Sequence, residues 1–190
     1  NHAFGQRDCY DALDDEKYLL RPDNFPGGAP GHGSVIINAA GQRVLVMNLQ
    51  GNMLMRVSLA SPFTAADAIL RRESGKYDVA VLDFHAEATS EKQAMGRYLD
   101  GRVDAIFGTH THVATADERV LPKGSSYITD VGMTGVEDSI LGAAAEPVMS
   151  QFLTAMPARF YAARGKVRAN AVLFEVEKGK GCVRVERITF

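Results

Sequence analysis

Segments of strand and helix character alternate through the middle of the chain, and a hairpin pattern flanks them on each side. Together these features predict an α/β domain with a mixed sheet. The 190 residues suffice for one substantial core. No repeat, low-complexity tract or interior linker divides them, so residues 1–190 read as a single domain.

The first hairpin is "SVIINAAGQRVLVMNLQG", two apolar β-prone runs joined at Ala39 to Arg43. The Pro/Gly-rich stretch from Arg21 to Ser34 precedes it and reads as a long loop. Thr64 is placed to cap a helix over "AADAILRRES" that stops at Gly75. Tyr77 to Phe84 is a short apolar run of buried-strand type. Ser90 with Gln93 gives a capping-box pattern at the head of the next helix. "VDAIFG" and "SSYITDVG" follow as strands, and "PVMSQFLTAM" as a helix. "KVRANAVLFEVEKG" and "GCVRVERITF" form the second hairpin, turning around Gly179 and Gly181.

The formal net charge of −2 argues against duplex nucleic acid as a partner, which selects a basic face. It leaves small anions open, because a local site can be positive on an acidic protein. Cys9 and Cys182 lie near opposite ends without CxxC spacing, the usage of reduced thiols in a cytoplasmic protein. No run of 18 apolar residues is present, so no membrane partner is expected. The chain opens "NHAFGQRD", without Met, and its start carries no information about a leader.

The histidines carry the chemistry. His85 follows "VAVLDF", and His110 and His112 follow "VDAIF", each at the C-terminal end of an expected strand, where open α/β sheets collect ligand sites. In an extended segment residues i and i+2 face one side, so His110 and His112 are expected to point together, with Thr111 turned away. Three imidazoles at one rim point to a metal site. His32, between Gly31 and Gly33, reads as a loop residue. "GAPGHGS" lacks the lysine of a phosphate-binding P-loop and precedes a strand, and no G-x-S-x-G elbow occurs. Asp83 either orients His85 or ends its strand. "TDVGMTG" either offers Thr134 and backbone N–H groups or is a tight turn. Arg21, Arg97 and Arg102 read as solvated.

"NH" at the start, "DFHAEATSEK", "GTHTHV" and "TDVGMTG" together resemble the calcineurin-like metallophosphoesterases. Within them the resemblance is to the branch of the bacterial YmdB phosphodiesterases, shared also by "LRPDNFPGGAPG", "VMNLQG" and "LPKGSSYITDVGMTG". The resemblance implies a four-layer α/β/β/α sandwich with mixed sheets and a site for two divalent or mixed-valence metal ions, iron or manganese, with zinc also compatible. It assigns Asn1, His85 and His110 to one metal, His112 to the other, and His2 as the acid that protonates the leaving oxygen. The implied reaction is hydrolysis of a small phosphodiester, such as a 2′,3′- or 3′,5′-cyclic nucleotide. Attack is in line, by a hydroxide bridging metals about 3.5–4 Å apart. Relatives of this kind form homo-oligomers.

The family's upstream aspartate and Glu-Asn motifs have no counterpart here. Where the branch carries Trp-Asp after His-x, this chain has Phe4 and Gly5. The first strands of the family fold are therefore expected to be missing. Residues 1–190 alone are expected to fold poorly, hold at most one metal weakly and show no phosphodiesterase activity. A phosphomonoesterase or nuclease with the same metals, and a non-catalytic regulatory module, remain as alternatives.

Overall fold

In a computed structural model the protein is described over residues 3–177 and 179–190; Asn1, His2 and Lys178 lie outside the described residues. A 3-10 turn at Ala3–Gly5 leads into α1 (Cys9–Asp15). The central part comprises β1 (Ser34–Ala39), β2 (Gln42–Gln50), α2 (Pro62–Arg72), β3 (Val79–His85), α3 (Thr89–Leu99), β4 (Ala105–Thr109), β5 (Arg119–Val120) and β6 (Ser126–Ile128). Then follow β7 (Thr134–Val136), α4 (Ala145–Thr154), β8 (Val167–Glu177) and β9 (Gly181–Thr189).

The fold is α/β with a mixed sheet, as the alternation predicts. Six strands run in the order β1-β2-β3-β4-β6-β5. β2, β3, β4 and β6 are parallel, with β1 and β5 antiparallel at the two edges. A second, antiparallel sheet has the order β7-β8-β9. The first hairpin turns through Ala40 (φ 49°) and Gly41 (φ 77°), both left-handed, as a two-residue turn matched to strand twist requires.

The core forms because alternate side chains of the inner strands face one way. Leu45, Met47 and Leu49 of β2 and Ala80, Leu82 and Phe84 of β3 share one buried cluster with Ala66 and Ile69 of α2, Met95 and Leu99 of α3, Ile106 and Tyr127. At about 25 cal/mol per Å² of apolar surface removed from water, this layer is the main source of stability. The second sheet meets the first where the Phe107 and Phe174 rings stack at 6.3 Å and the Cys182 N–H donates to the Gly124 carbonyl.

Two helix starts differ from the sequence expectation. α2 begins at Pro62 with Ser61 as N-cap, because proline supplies the helical φ and lacks an N–H that would go unpaired there. Thr64 sits inside the first turn, where its hydroxyl donates to the Ser61 carbonyl. α3 begins at Thr89 with Ala88 at the cap and no side-chain cap, so the Ser90/Gln93 box does not form. Arg21 is also not solvated. It is buried, and it donates to the Pro22 and Pro30 carbonyls (2.8 and 3.1 Å), closing the Pro/Gly loop from inside.

Gly108 in β4 marks the tightest approach in the sheet. A Cβ there would lie 1.8 Å from the Thr129 carbonyl oxygen, which is backbone and does not yield. Gly108→Ala is expected to destabilise the protein by about 3 kcal/mol or more in denaturant unfolding. Gly27→Ala, at a site with open space around it, should change stability by less than about 0.5 kcal/mol.

Candidate functional site

The four parallel strands end along one edge. Gln50, His85 and Thr109 are neighbours in register at the ends of β2, β3 and β4, and Ile128 closes β6 beside Phe107. Loops leave the sheet from this edge, and carboxylates fasten them. Glu91 accepts the N–H groups of Asn52 and Met53 after β2. Asp117 accepts the Thr129 N–H and hydroxyl after β6.

His85 occupies the last position of β3 and is buried. Its Nδ1 is 3.1 Å from Thr109 Oγ1, whose hydroxyl donates to Asp83 Oδ1 at 2.8 Å; Asn48 Nδ2 donates to the other Asp83 oxygen at 2.9 Å. Because Thr109 gives its hydrogen to Asp83, it accepts one from His85 Nδ1. His85 Nε2 then carries the lone pair. Asp83 therefore orients His85 through Thr109 rather than by direct contact. Burial pushes its carboxyl up to about 6, against the opposing hydrogen bond from Thr109.

His110 and His112 lie beyond the strand. β4 ends at Thr109, and both histidines have positive φ, 107° and 67°. The extended i, i+2 geometry expected from H-x-H is therefore replaced by a left-handed loop, a conformation costing about 1–3 kcal/mol per non-glycine residue. Within it, His110 Nδ1 comes to 3.0 Å from His85 Nε2, with the rings edge-to-face at a centroid separation of 4.7 Å. His110 Nε2 is 3.0 Å from Glu87 Oε2. The His112 carbonyl accepts the Met133 N–H, and its ring makes no hydrogen bond to either imidazole among the described residues. The structure thus brings His85 and His110 together. Among the described residues no group of three or more His, Cys, Asp or Glu side chains is arranged around one point. Asn1 and His2 lie outside the described residues.

The strained loop is held from beneath. Asp130 Oδ2 accepts from the Thr111 N–H (3.0 Å), the Thr111 hydroxyl (2.8 Å) and Lys92 Nζ (2.7 Å), while Oδ1 accepts the Gly132 N–H. The Lys92 and Asp130 side chains are each 1% exposed. Burial pushes the Asp130 carboxyl up, but the hydrogen bonds from Lys92, Gly132 and Thr111 outweigh it, and the group sits below its ordinary range. Gly132 (φ 85°) lets the TDVGMTG segment pass the loop, since a Cβ there would meet Ala114 N at 2.8 Å. That segment runs without turn or strand structure from Asp130 to Met133 before β7, its aspartate carrying the contact, while Asn170 Nδ2 donates to the Met133 carbonyl.

His32 is a loop anchor, its Nε2 donating to the Lys17 carbonyl at 2.7 Å. Arg102, in the turn after α3, pairs with Asp67 of α2 at 2.6 Å, and Arg97 of α3 is exposed, so neither lies at the strand-end edge. Sequence reasoning missed Lys92, Thr109, Thr111 and Asp130 as parts of the site. The hydroxyls alternating with imidazoles in "THTH" were the available sign, since each threonine takes a carboxylate that fixes its neighbour.

A model of the YmdB-like protein family matches residues 1–188, and the chain belongs to that family, within the calcineurin-like metallophosphoesterases. It is similar to the 2′,3′-cyclic-nucleotide 2′-phosphodiesterase of Bacillus subtilis, with 46% identity over 99% of this chain and 71% of the relative. It also matches the crystal structure of a hypothetical protein from Thermus thermophilus at a TM-score of 0.90 and 42% identity, covering 100% of this chain and 73% of that one. The structure of a novel phosphatase from Mycoplasma pneumoniae matches at 0.90 and 34% identity, covering 100% and 69%.

Two outcomes check the supporting network. Lys92→Met leaves Asp130 charged and buried without its partner, and unfolding in denaturant should show a loss of about 3–5 kcal/mol. Adding Asp130→Asn should recover part of that loss, giving a double variant less destabilised than the sum of the two singles.

The Asp83 carboxyl, raised in the folded state, binds more protons there than in the unfolded chain between about pH 4 and 6. Its contribution to stability therefore falls as pH rises through that window. Asp83→Asn should remove this part of the slope; an unfolding curve series from pH 4 to 7 that keeps it would assign the slope to another group.

Proposed function

We propose that this chain supplies metal ligands and the proton donor to a two-metal-dependent phosphodiesterase that hydrolyses small phosphodiesters of the cyclic-nucleotide type, 2′,3′-cyclic or 3′,5′-cyclic. The carrying observation is the facing pair His85 Nε2 and His110 Nδ1, 3.0 Å apart at the C-terminal edge of a parallel sheet. Two nitrogen donors at that spacing suit a shared cation held at about 2.0–2.1 Å from each. The outer nitrogens of both rings meet oxygen acceptors, Thr109 Oγ1 and Glu87 Oε2, which leaves the inner lone pairs to converge. The donor set fits a metal of the iron, manganese or zinc class.

Family membership supports hydrolase activity on phosphate esters, and the 46% identical relative named as a 2′,3′-cyclic-nucleotide phosphodiesterase supports the substrate class. In this reading Asn1, His85 and His110 hold one metal and His112 the other. Bound metals supply positive charge at the phosphoryl oxygens and acidify water for attack. The chain's own part is placement. β3 fixes His85 through Thr109 and Asp83, and the loop clamped by Asp130 presents His110 and His112. His2, adjacent to Asn1 in sequence, holds the proton delivered to the leaving oxygen.

Residues 1–190 act in this reading as one domain, with the two sheets as the inner layers of an α/β/β/α sandwich. No helix among the described residues is long and apolar enough to cross a membrane. Cys9 and Cys182 are free thiols, which supports a cytoplasmic setting, and homo-oligomerisation belongs to the same proposal.

Elemental analysis of the intact protein, paired with rates on cyclic nucleotides and on phosphomonoesters, tests the reading. The expected result is bound metal and preference for the diester. Faster turnover of monoesters would move the assignment to a phosphomonoesterase, and absence of both metal and turnover would leave a regulatory module. His2→Ala should keep the metal and lower turnover by about 10²–10⁴-fold, less for substrates with good leaving groups. His110→Ala should lose metal as well as activity. A His2→Ala protein stripped of metal contradicts the role given to His2.

A further inference from the structure

We infer that Glu87 is a positioning residue that sets which ring nitrogen of His110 is presented to the cation. The inference rests on the metal reading above and adds a residue to it. A neutral imidazole carries one proton, so it offers a lone pair at one nitrogen alone. For His85 the choice is fixed by Thr109 and Asp83, both part of the sheet. His110 has left the sheet, and its backbone turns at positive φ. Its Nε2 faces Glu87 Oε2 at 3.0 Å, and its Nδ1 faces His85 Nε2 at 3.0 Å.

A carboxylate is acceptor-only, so Nε2 carries the hydrogen toward Glu87 and Nδ1 turns its lone pair toward His85. The two inner nitrogens then repel each other unless a positive charge stands between them. Glu87 thereby makes the pair a cation site rather than a hydrogen-bonded pair of rings.

Glu87 itself is well exposed, with its side chain 44% accessible, so replacing it removes this interaction without opening the core. It follows His85 by two residues, past the end of β3, so the strand that places one histidine also places the partner of the other.

The test uses the intact protein and compares wild type with Glu87→Ala by calorimetric titration of Mn²⁺ into metal-free samples. The variant is expected to bind about 10–100-fold more weakly, with thermal unfolding of the metal-free protein unchanged. NMR of the His110 ring nitrogens in metal-free protein gives the second readout: hydrogen on Nε2 in wild type, and a mixture of both forms in Glu87→Ala. Glu87→Gln, whose amide oxygen still accepts, should retain the Nε2–H form. Equal Mn²⁺ affinity in wild type and Glu87→Ala, or an unchanged proton position on the ring, overturns the inference. A wild type that takes up no Mn²⁺ overturns the metal reading instead. The ring-nitrogen readout, which needs no metal, still decides whether Glu87 places the proton.

Discussion

The buried ion pair between Lys92 and Asp130 is the constraint on which the site depends. A lysine and an aspartate with almost no exposure are costly to desolvate, and such a pair is weak evidence for stability in itself. What it secures here is shape. Asp130 has four hydrogen-bond donors around it, from Lys92, the backbone and hydroxyl of Thr111, and the backbone of Gly132. Two of them belong to the residue between His110 and His112. The carboxylate thus holds a loop whose two flanking residues both sit at positive φ, and the cost of that backbone is met by contacts beneath it rather than by the histidines themselves.

The two imidazoles reach their common point by different routes. His85 is delivered by regular structure: the last residue of a parallel strand, its ring tied to the adjacent strand through Thr109. His110 is delivered by a loop and depends on side chains from α3, the segment that leaves β6 and the segment after β3. One histidine thus rides on regular structure and the other on a clamped loop. The parallel strands end at that same edge, the usual location of ligand sites in open α/β sheets.

Much of this was legible in the sequence. Apolar alternation and the Gly-marked turns located both hairpins and the inner strands, because strand burial and turn conformation are local properties. The placement of His85 at a strand end and of the H-x-H pair just past the next one followed from the same reading. The helix caps did not. α2 starts at Pro62 and α3 at Thr89 behind Ala88, neither with a side-chain cap, while Thr64, Ser90 and Gln93 have capping chemistry without the position. The left-handed backbone at His110 and His112 was also hidden, since nothing local asks a histidine to adopt it. Lys92 reads as one more surface charge in a helix; its partner lies 38 residues away, and only the packing of α3 on the sheet brings them together. Arg21 was misread for the same reason, its partners being backbone carbonyls of its own folded loop.

The account stands or falls on whether the facing nitrogens of His85 and His110 share a cation. Anomalous diffraction from crystals of the intact protein soaked in Mn²⁺ addresses this directly. The account predicts an anomalous peak in contact with both His85 Nε2 and His110 Nδ1, with Glu87 against the far nitrogen of His110. Manganese bound elsewhere, with the two rings hydrogen-bonded to each other and no peak between them, would contradict it.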